Sequence, residues 1–107
     1  MKKPLMISAL VIASSLTMAQ AASNPMTVSA AMNASDNTQA VLQGTLGQSL
    51  GNEKYEFNDA SGSMTIEIDK DITRHLTLSN GQALTLYGEI DREHHGNEFE
   101  VDYLTLN

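Results

Sequence analysis

From Lys54 to Asp69 the chain reads KYEFNDASGSMTIEID, and the side chains change character at almost every second residue. Tyr55 and Phe57, then Met64, Ile66 and Ile68, share one face. Lys54, Glu56 and Asn58, then Thr65, Glu67 and Asp69, share the other. A period of two belongs to β-strands. Between the two runs, Asp59-Ala60-Ser61-Gly62 is a four-residue turn with Asp first and Gly last, the residues such turns favour at those places. The stretch is therefore a pair of strands with one apolar face. Its register is strongly set, because a slip of one residue would turn every apolar side chain toward water.

The same reading extends over the rest of the chain. Residues 39–50, QAVLQGTLGQSL, put Leu42, Leu46 and Leu50 on one face, and Gly44 and Gly47 interrupt them as in a long, strongly bent strand. Gly51-Asn52 makes a turn. Residues 70–78, KDITRHLTL, break the period. Ile72 and Leu76 lie four apart, which suits one face of a short helix capped by Asp69 or Asp71. After the Ser79-Asn80-Gly81 turn, Leu84, Leu86 and Ile90 point inward and Thr85, Tyr87, Glu89 and Asp91 outward. Gly88 falls in the inward row and marks a bulge or a close backbone approach. Arg92 to Asn97 form a polar hairpin loop. The last strand places Phe99, Val101 and Tyr103 inward and Glu98, Glu100 and Asp102 outward. Three strands, a short helix and two strands, the first strand long and bent, predict an all-β fold. It is a small β-barrel, the five-stranded Greek-key OB-fold with a short helix between strands 3 and 4, over residues 39–107. Closure of the barrel explains how so small a chain does without a single cysteine.

Upstream, Met1-Lys2-Lys3 is a basic start and residues 4–18 are apolar or small and uncharged. Ala19-Gln20-Ala21 supplies small residues at a cleavage site. Residues 1–21 are thus read as a secretory signal peptide, too short and too rich in Ser and Ala for a membrane span. No Cys follows the cleavage point, which argues against a lipid anchor. Residues 22–38 lack a strong period and are read as a flexible N-terminal arm, with Met26, Val28 and Met32 available for partial docking. Lys2 and Lys3 leave with the leader. The formal charge of the secreted chain is therefore more negative than the −7 of the whole, which opposes binding to nucleic acid and to anionic membranes.

The outward rows decide which functions are open. OB-folds hold ligands on the face around strands 2 and 3, framed by the loops between strands 1 and 2 and between strands 4 and 5. Nucleic-acid binders need a basic groove and exposed rings there. Here strands 2–5 turn Glu56, Glu67, Asp69, Glu89, Asp91, Glu98, Glu100 and Asp102 outward, with Lys54 as the one strand cation and Tyr87 as the one outward ring. Lys54, Glu56, Thr85 and Tyr87 form a candidate ligand patch of the kind that holds sugars or peptides, Tyr offering both a ring face and a hydroxyl; the plainer reading is a cross-strand packing pair. His94, His95 and Glu98 carry Zn²⁺ or Cu²⁺ ligand chemistry without the spacing of a known motif. Glu67, Asp69 and Asp71 lack the Gly of a calcium loop. Ser61 and Ser63 lack a nucleophile elbow, and carboxylates on a flat wet face lack the contrast of environment that acid–base pairs need. No enzyme activity and no cofactor are expected.

The runs VLQGT at 41–45, EKYEFNDASGSMTIEID at 53–69, LTLYGEID at 84–91 and FEVDYL at 99–104 resemble the bacterial OB-fold (BOF) family, the YgiW/YdeI-type periplasmic stress-tolerance proteins. The specific part is the aromatic-x-Phe strand, the Asp-x-Ser-Gly turn and the strand ending Ile-Asp. That family's helix region often carries a Trp, where this chain reads ITRHLTL. The resemblance implies a periplasmic barrel with a role in envelope or chemical stress, and it brings no catalytic residues with it. The partner expected is an envelope protein or a cell-wall glycan. Nucleic acid is not expected as a partner, nor is membrane insertion after signal cleavage, and the chain is expected to be a monomer. The alternative is an acidic divalent-cation-binding protein using His94, His95 and neighbouring carboxylates.

Overall fold

A computed structural model describes residues 24–107; the expected leader, residues 1–21, lies outside the described residues. The alternating segments become strands: β1 (Pro25–Met26), β2 (Gln39–Gly51), β3 (Lys54–Asp59), β4 (Gly62–Ile68), β5 (Ala83–Glu93) and β6 (Gly96–Leu106). Two short helices, α1 (Val28–Met32) and α2 (Lys70–Thr73), interrupt them. The sheet order is β1-β2-β3-β4-β6-β5, and β5 pairs back onto β2, which closes β2–β6 into a five-stranded barrel. The 13-residue β2 makes closure possible, because its first half pairs with β5 from Gln39↔Glu89 to Thr45↔Ala83 and its second half pairs with β3. A strand serving two partners must bend. Gly44 lies at the bend, where any Cβ would collide with the Asn58 carbonyl oxygen.

The lumen holds the residues the period of two assigns to it. Leu42, Leu46, Phe57, Met64, Ile66, Ile68, Leu84, Leu86, Ile90, Phe99 and Val101 are buried in one cluster. Two expected core residues are not there. Leu50 is 50% exposed, beyond register shifts in β2 between Leu46, Ser49 and Gly51. Tyr103 is 56% exposed. The cause is a bulge: Tyr87 pairs with Tyr103 but Gly88 pairs with Val101, so Asp102 is an extra residue in β6. One extra residue inverts the facing of everything after it. Tyr103 therefore turns outward, and Leu104 becomes the half-buried side chain packed against the core.

Residues 24–38 are not a free arm. β1 pairs in parallel with β2, and α1 buries Val28 and Ala31 in the barrel cluster, while Met32 stays exposed. Five residues are too few to hold a helix alone, so its stability comes from its contacts. Thr27 accepts a hydrogen bond from the Ala30 amide at 3.1 Å. Asp59 Oδ2 accepts from the Val28 amide at 2.9 Å, and Ser61 Oγ from the Ser29 amide at 2.9 Å. At the other end of α1, Asn97 Nδ2 donates to the carbonyls of Ala31 and Ala34 at 3.0 and 2.8 Å. Asp36 Oδ1 accepts from the Arg92 amide. The Asp-x-Ser-Gly turn is thus also a clamp, with Asp59 Oδ1 taking the Ser61 and Gly62 amides while Oδ2 holds α1.

Burial alone would raise the Asp59 carboxyl, but the donors from Ser61, Val28 and Gly62 outweigh it and hold the group below the ordinary range. A depressed carboxylate contributes stability that is complete above its unfolded value and is lost as pH falls through the folded one. Asp59→Ala is expected to cost about 2 kcal/mol at pH 7. The loss should shrink as pH falls through the lowered folded value, below which the carboxyl is neutral in both states. Hydrogen exchange at Val28 and Ser29 should rise in the variant at neutral pH; unchanged protection there would contradict the clamp.

Candidate functional site

The outer face has one continuous row. Lys54 lies opposite Glu67, Glu67 opposite Glu100, Glu100 opposite Glu89, and Glu89 opposite Gln39. The row crosses β3, β4, β6, β5 and β2, and three neighbouring members are carboxylates. Strands lie roughly 4.8 Å apart, so these charges face each other directly, an arrangement that costs stability. Burial first, then the nearby charges of Glu67, Asp91, Glu89 and Asp102, raise the Glu100 carboxyl above its ordinary value. A raised acid destabilises the fold above its folded value and does nothing below the unfolded one. Glu100→Gln is accordingly expected to stabilise the protein by about 0.5 kcal/mol at pH 7 and low salt. The gain should vanish below pH ~4 and shrink in molar salt; thermal melts across pH and salt decide it.

Lys54 is not free to neutralise this row. Its Nζ lies 2.8 Å from Glu98 Oε1, and His95 Nε2 lies 2.8 Å from Glu98 Oε2. Glu98, placed outward by the alternation, is only 3% exposed because Lys54 and His95 close over it. Burial pushes its carboxyl up, and Lys54 and His95 more than reverse that, so the group sits below the ordinary range. Both Glu98 oxygens are thus already engaged in ion pairs. His94 is exposed, and among the described residues no three His, Asp or Glu side chains converge as metal ligands.

The four candidate ligand residues do not form one patch. Lys54 and Glu56 lie opposite Glu67 and Thr65 of β4, whereas Thr85 and Tyr87 lie between Gln43 and Val41 of β2 and Thr105 and Tyr103 of β6. Thr85 is buried, and its hydroxyl donates to Asn107 Oδ1 at 2.9 Å. Glu56 is half-buried beside Gly47, where a Cβ would come within 2.8 Å of its Oε1. Tyr87 keeps an exposed side but gains a neighbour the sequence reading missed: Tyr103 stacks on it with ring centroids 4.4 Å apart and planes 9° apart. The outer face therefore carries a tyrosine pair next to the acidic row. The other residue missed is Asp59, whose role as a helix clamp is invisible in a turn motif.

A closed five-stranded barrel with a long shared first strand and a short helix after its third strand defines an OB-fold. The chain belongs to the bacterial OB-fold (BOF) family, whose sequence model matches residues 13–106. It is 35% identical over 107 residues to the calcium-regulated OB-fold protein CarO of Pseudomonas aeruginosa, covering 94% of this chain and 92% of that protein. The solved structure of the hypothetical protein YgiW of Escherichia coli superposes with a TM-score of 0.74 at 25% identity, covering 78% of this chain and 90% of the other. Telomere capping protein Ten1 of Schizosaccharomyces pombe shares the fold at a TM-score of 0.60 and 16% identity, covering 76% and 77%. Family and barrel thus agree with the resemblance in the motifs. The α2 region, where Trp is missing, buries no side chain fully.

Proposed function

We propose that this protein is a non-catalytic periplasmic binding or adaptor module. In this reading it supports tolerance of envelope or chemical stress by holding a cationic part of an envelope protein on its acidic outer face. The observation that carries the reading is the Glu67–Glu100–Glu89 row, with the nearest strand cation already committed to Glu98. Facing carboxylates weaken the fold, and a cationic partner would relieve them. The same charges repel polyanions, which makes nucleic acid an unsuitable ligand. The periplasmic address rests on the expected leader, and the stress role on the family resemblance.

The test is crosslinking in intact cells, comparing the wild-type chain with a Glu67→Gln/Glu89→Gln/Glu100→Gln variant that keeps the fold. The wild type should capture a defined envelope protein in a salt-sensitive way, the variant should not, and cells with only the variant should be stress-sensitive. Equal capture by both, or no phenotype on deletion, would reject the reading. The stacked tyrosines favour a second reading, a cell-wall glycan lying on the ring face of Tyr103. Tyr103→Ala would then abolish retention on insoluble cell wall while leaving protein capture intact.

A further inference from the structure

β4 and β6 run side by side for three pairs only, Ile66↔Phe99, Glu67↔Glu100 and Ile68↔Val101. There β4 ends, and Asp69 caps α2 and leads the chain away. β6 continues to Leu106 with β5 on one side. Among the described residues, no backbone hydrogen bond joins Asp102–Leu106 to anything but β5. The far edge of this stretch is therefore a row of unpaired amides and carbonyls about 17 Å long. Tyr103 and Leu106 on it are 56% and 47% exposed. Natural sheets blunt or cover such edges, or use them to take up an extended peptide.

At the fork where β4 leaves β6 lies an open pocket of about 260 Å³, lined by Glu67, Asp69, Ile72, Glu100, Val101 and Asp102. Four carboxylates stand around an apolar floor of Ile72 and Val101. That combination suits a long cationic side chain, its methylene stem on the floor and its charged head among the carboxylates. We propose that β6 accepts, along Tyr103–Leu106, an extended segment of a partner protein as an added strand, with a Lys or Arg of that segment seated in the fork pocket. The inference rests on the binding reading above and names the partner's chemistry. A second copy of the chain is the poorer occupant, because edge-to-edge pairing of two β6 strands would bring two sets of Glu100 and Asp102 together.

The test uses ¹⁵N-labelled protein and a blocked heptapeptide, Lys-Val-Thr-Val-Thr-Val-Thr. Two controls accompany it, one with Glu for Lys and one N-methylated at alternate residues. The Lys peptide should slow amide exchange within Tyr103–Leu106 about tenfold. Asp102→Asn should weaken its binding about fivefold with the circular dichroism unchanged, and neither control should bind. No edge protection at millimolar peptide, or equal binding of either control, would overturn the assignment. So would edge protection that already exists in the protein alone and falls on dilution, since the occupant would then be a second copy. If the Glu67/Glu89/Glu100 variant loses its envelope partner while the peptide leaves the edge unprotected, the edge assignment fails and the binding reading stands.

Discussion

Gly88→Val is expected to be the most damaging single change in the barrel wall. Any Cβ at this position would collide with the Glu100 carbonyl oxygen and press on the Val101 Cα. Those are backbone atoms of the neighbouring strand and cannot swing aside. Relief requires β5 and β6 to separate where the register shifts between Tyr87 and Gly88. The cost is on the order of 3 kcal/mol or more, against a total of about 5–15 kcal/mol for a typical domain. The melting temperature should fall by roughly 15 °C, and Gly88→Ala should do nearly as much damage because the first carbon already collides. A second readout is specific to the bulge. If it is lost, Tyr103 no longer faces outward opposite Tyr87, and near-ultraviolet circular dichroism from the stacked pair should disappear. A Gly88→Val protein that melts like the wild type would contradict the close approach of β5 to β6.

Lys54→Met should follow in size. It strips one of the two partners from Glu98, which is nearly sealed from solvent, and leaves a buried carboxylate with His95 alone. Breaking a buried pair from one side costs several kcal/mol. The Lys54 side chain is itself 33% exposed, so water reaches the vacated place and about 2 kcal/mol is the expected loss. The pH dependence gives the sign. Glu98 is held below its usual value of 4.5, so its contribution is complete above that value and is lost as pH falls through the lower, folded one. Without Lys54 the larger of the two lowering partners is lost, the folded value rises, and acid unfolding should begin at higher pH. The double change Lys54→Met/Glu98→Leu should recover part of the loss, since it removes the orphaned charge along with its partner. Equal acid midpoints for wild type and Lys54→Met would show that the pair is not coupled to folding.

The barrel was legible because its strands alternate cleanly. Phe57, Met64, Ile66, Ile68 and Phe99 sit where a period of two puts them, and Gly88 in the inward row marks a place of irregularity. What the alternation could not carry was parity across that irregularity. The expectation for Tyr103 ran β6 through in uniform steps, and the single extra residue Asp102 reversed it. The four candidate residues are divided for a topological reason: β2 gives its first half to β5 and its second to β3, so Lys54 and Glu56 stand between β2 and β4 while Thr85 and Tyr87 stand between β2 and β6. α1 was hidden because five small or apolar residues carry no period, and its anchors, Asp59, Ser61 and Asn97, lie far downstream in the chain.

The clamp at Asp59 sets an order of events. α1 lies 31 residues upstream of the carboxylate that holds its first amide, and a helix this short does not persist on its own. As the chain leaves the ribosome, α1 lacks the side chains that hold its first amides until the β3–β4 hairpin has followed it. α1 is consequently expected to dock late in folding, only once the turn that carries Asp59 and Ser61 has formed.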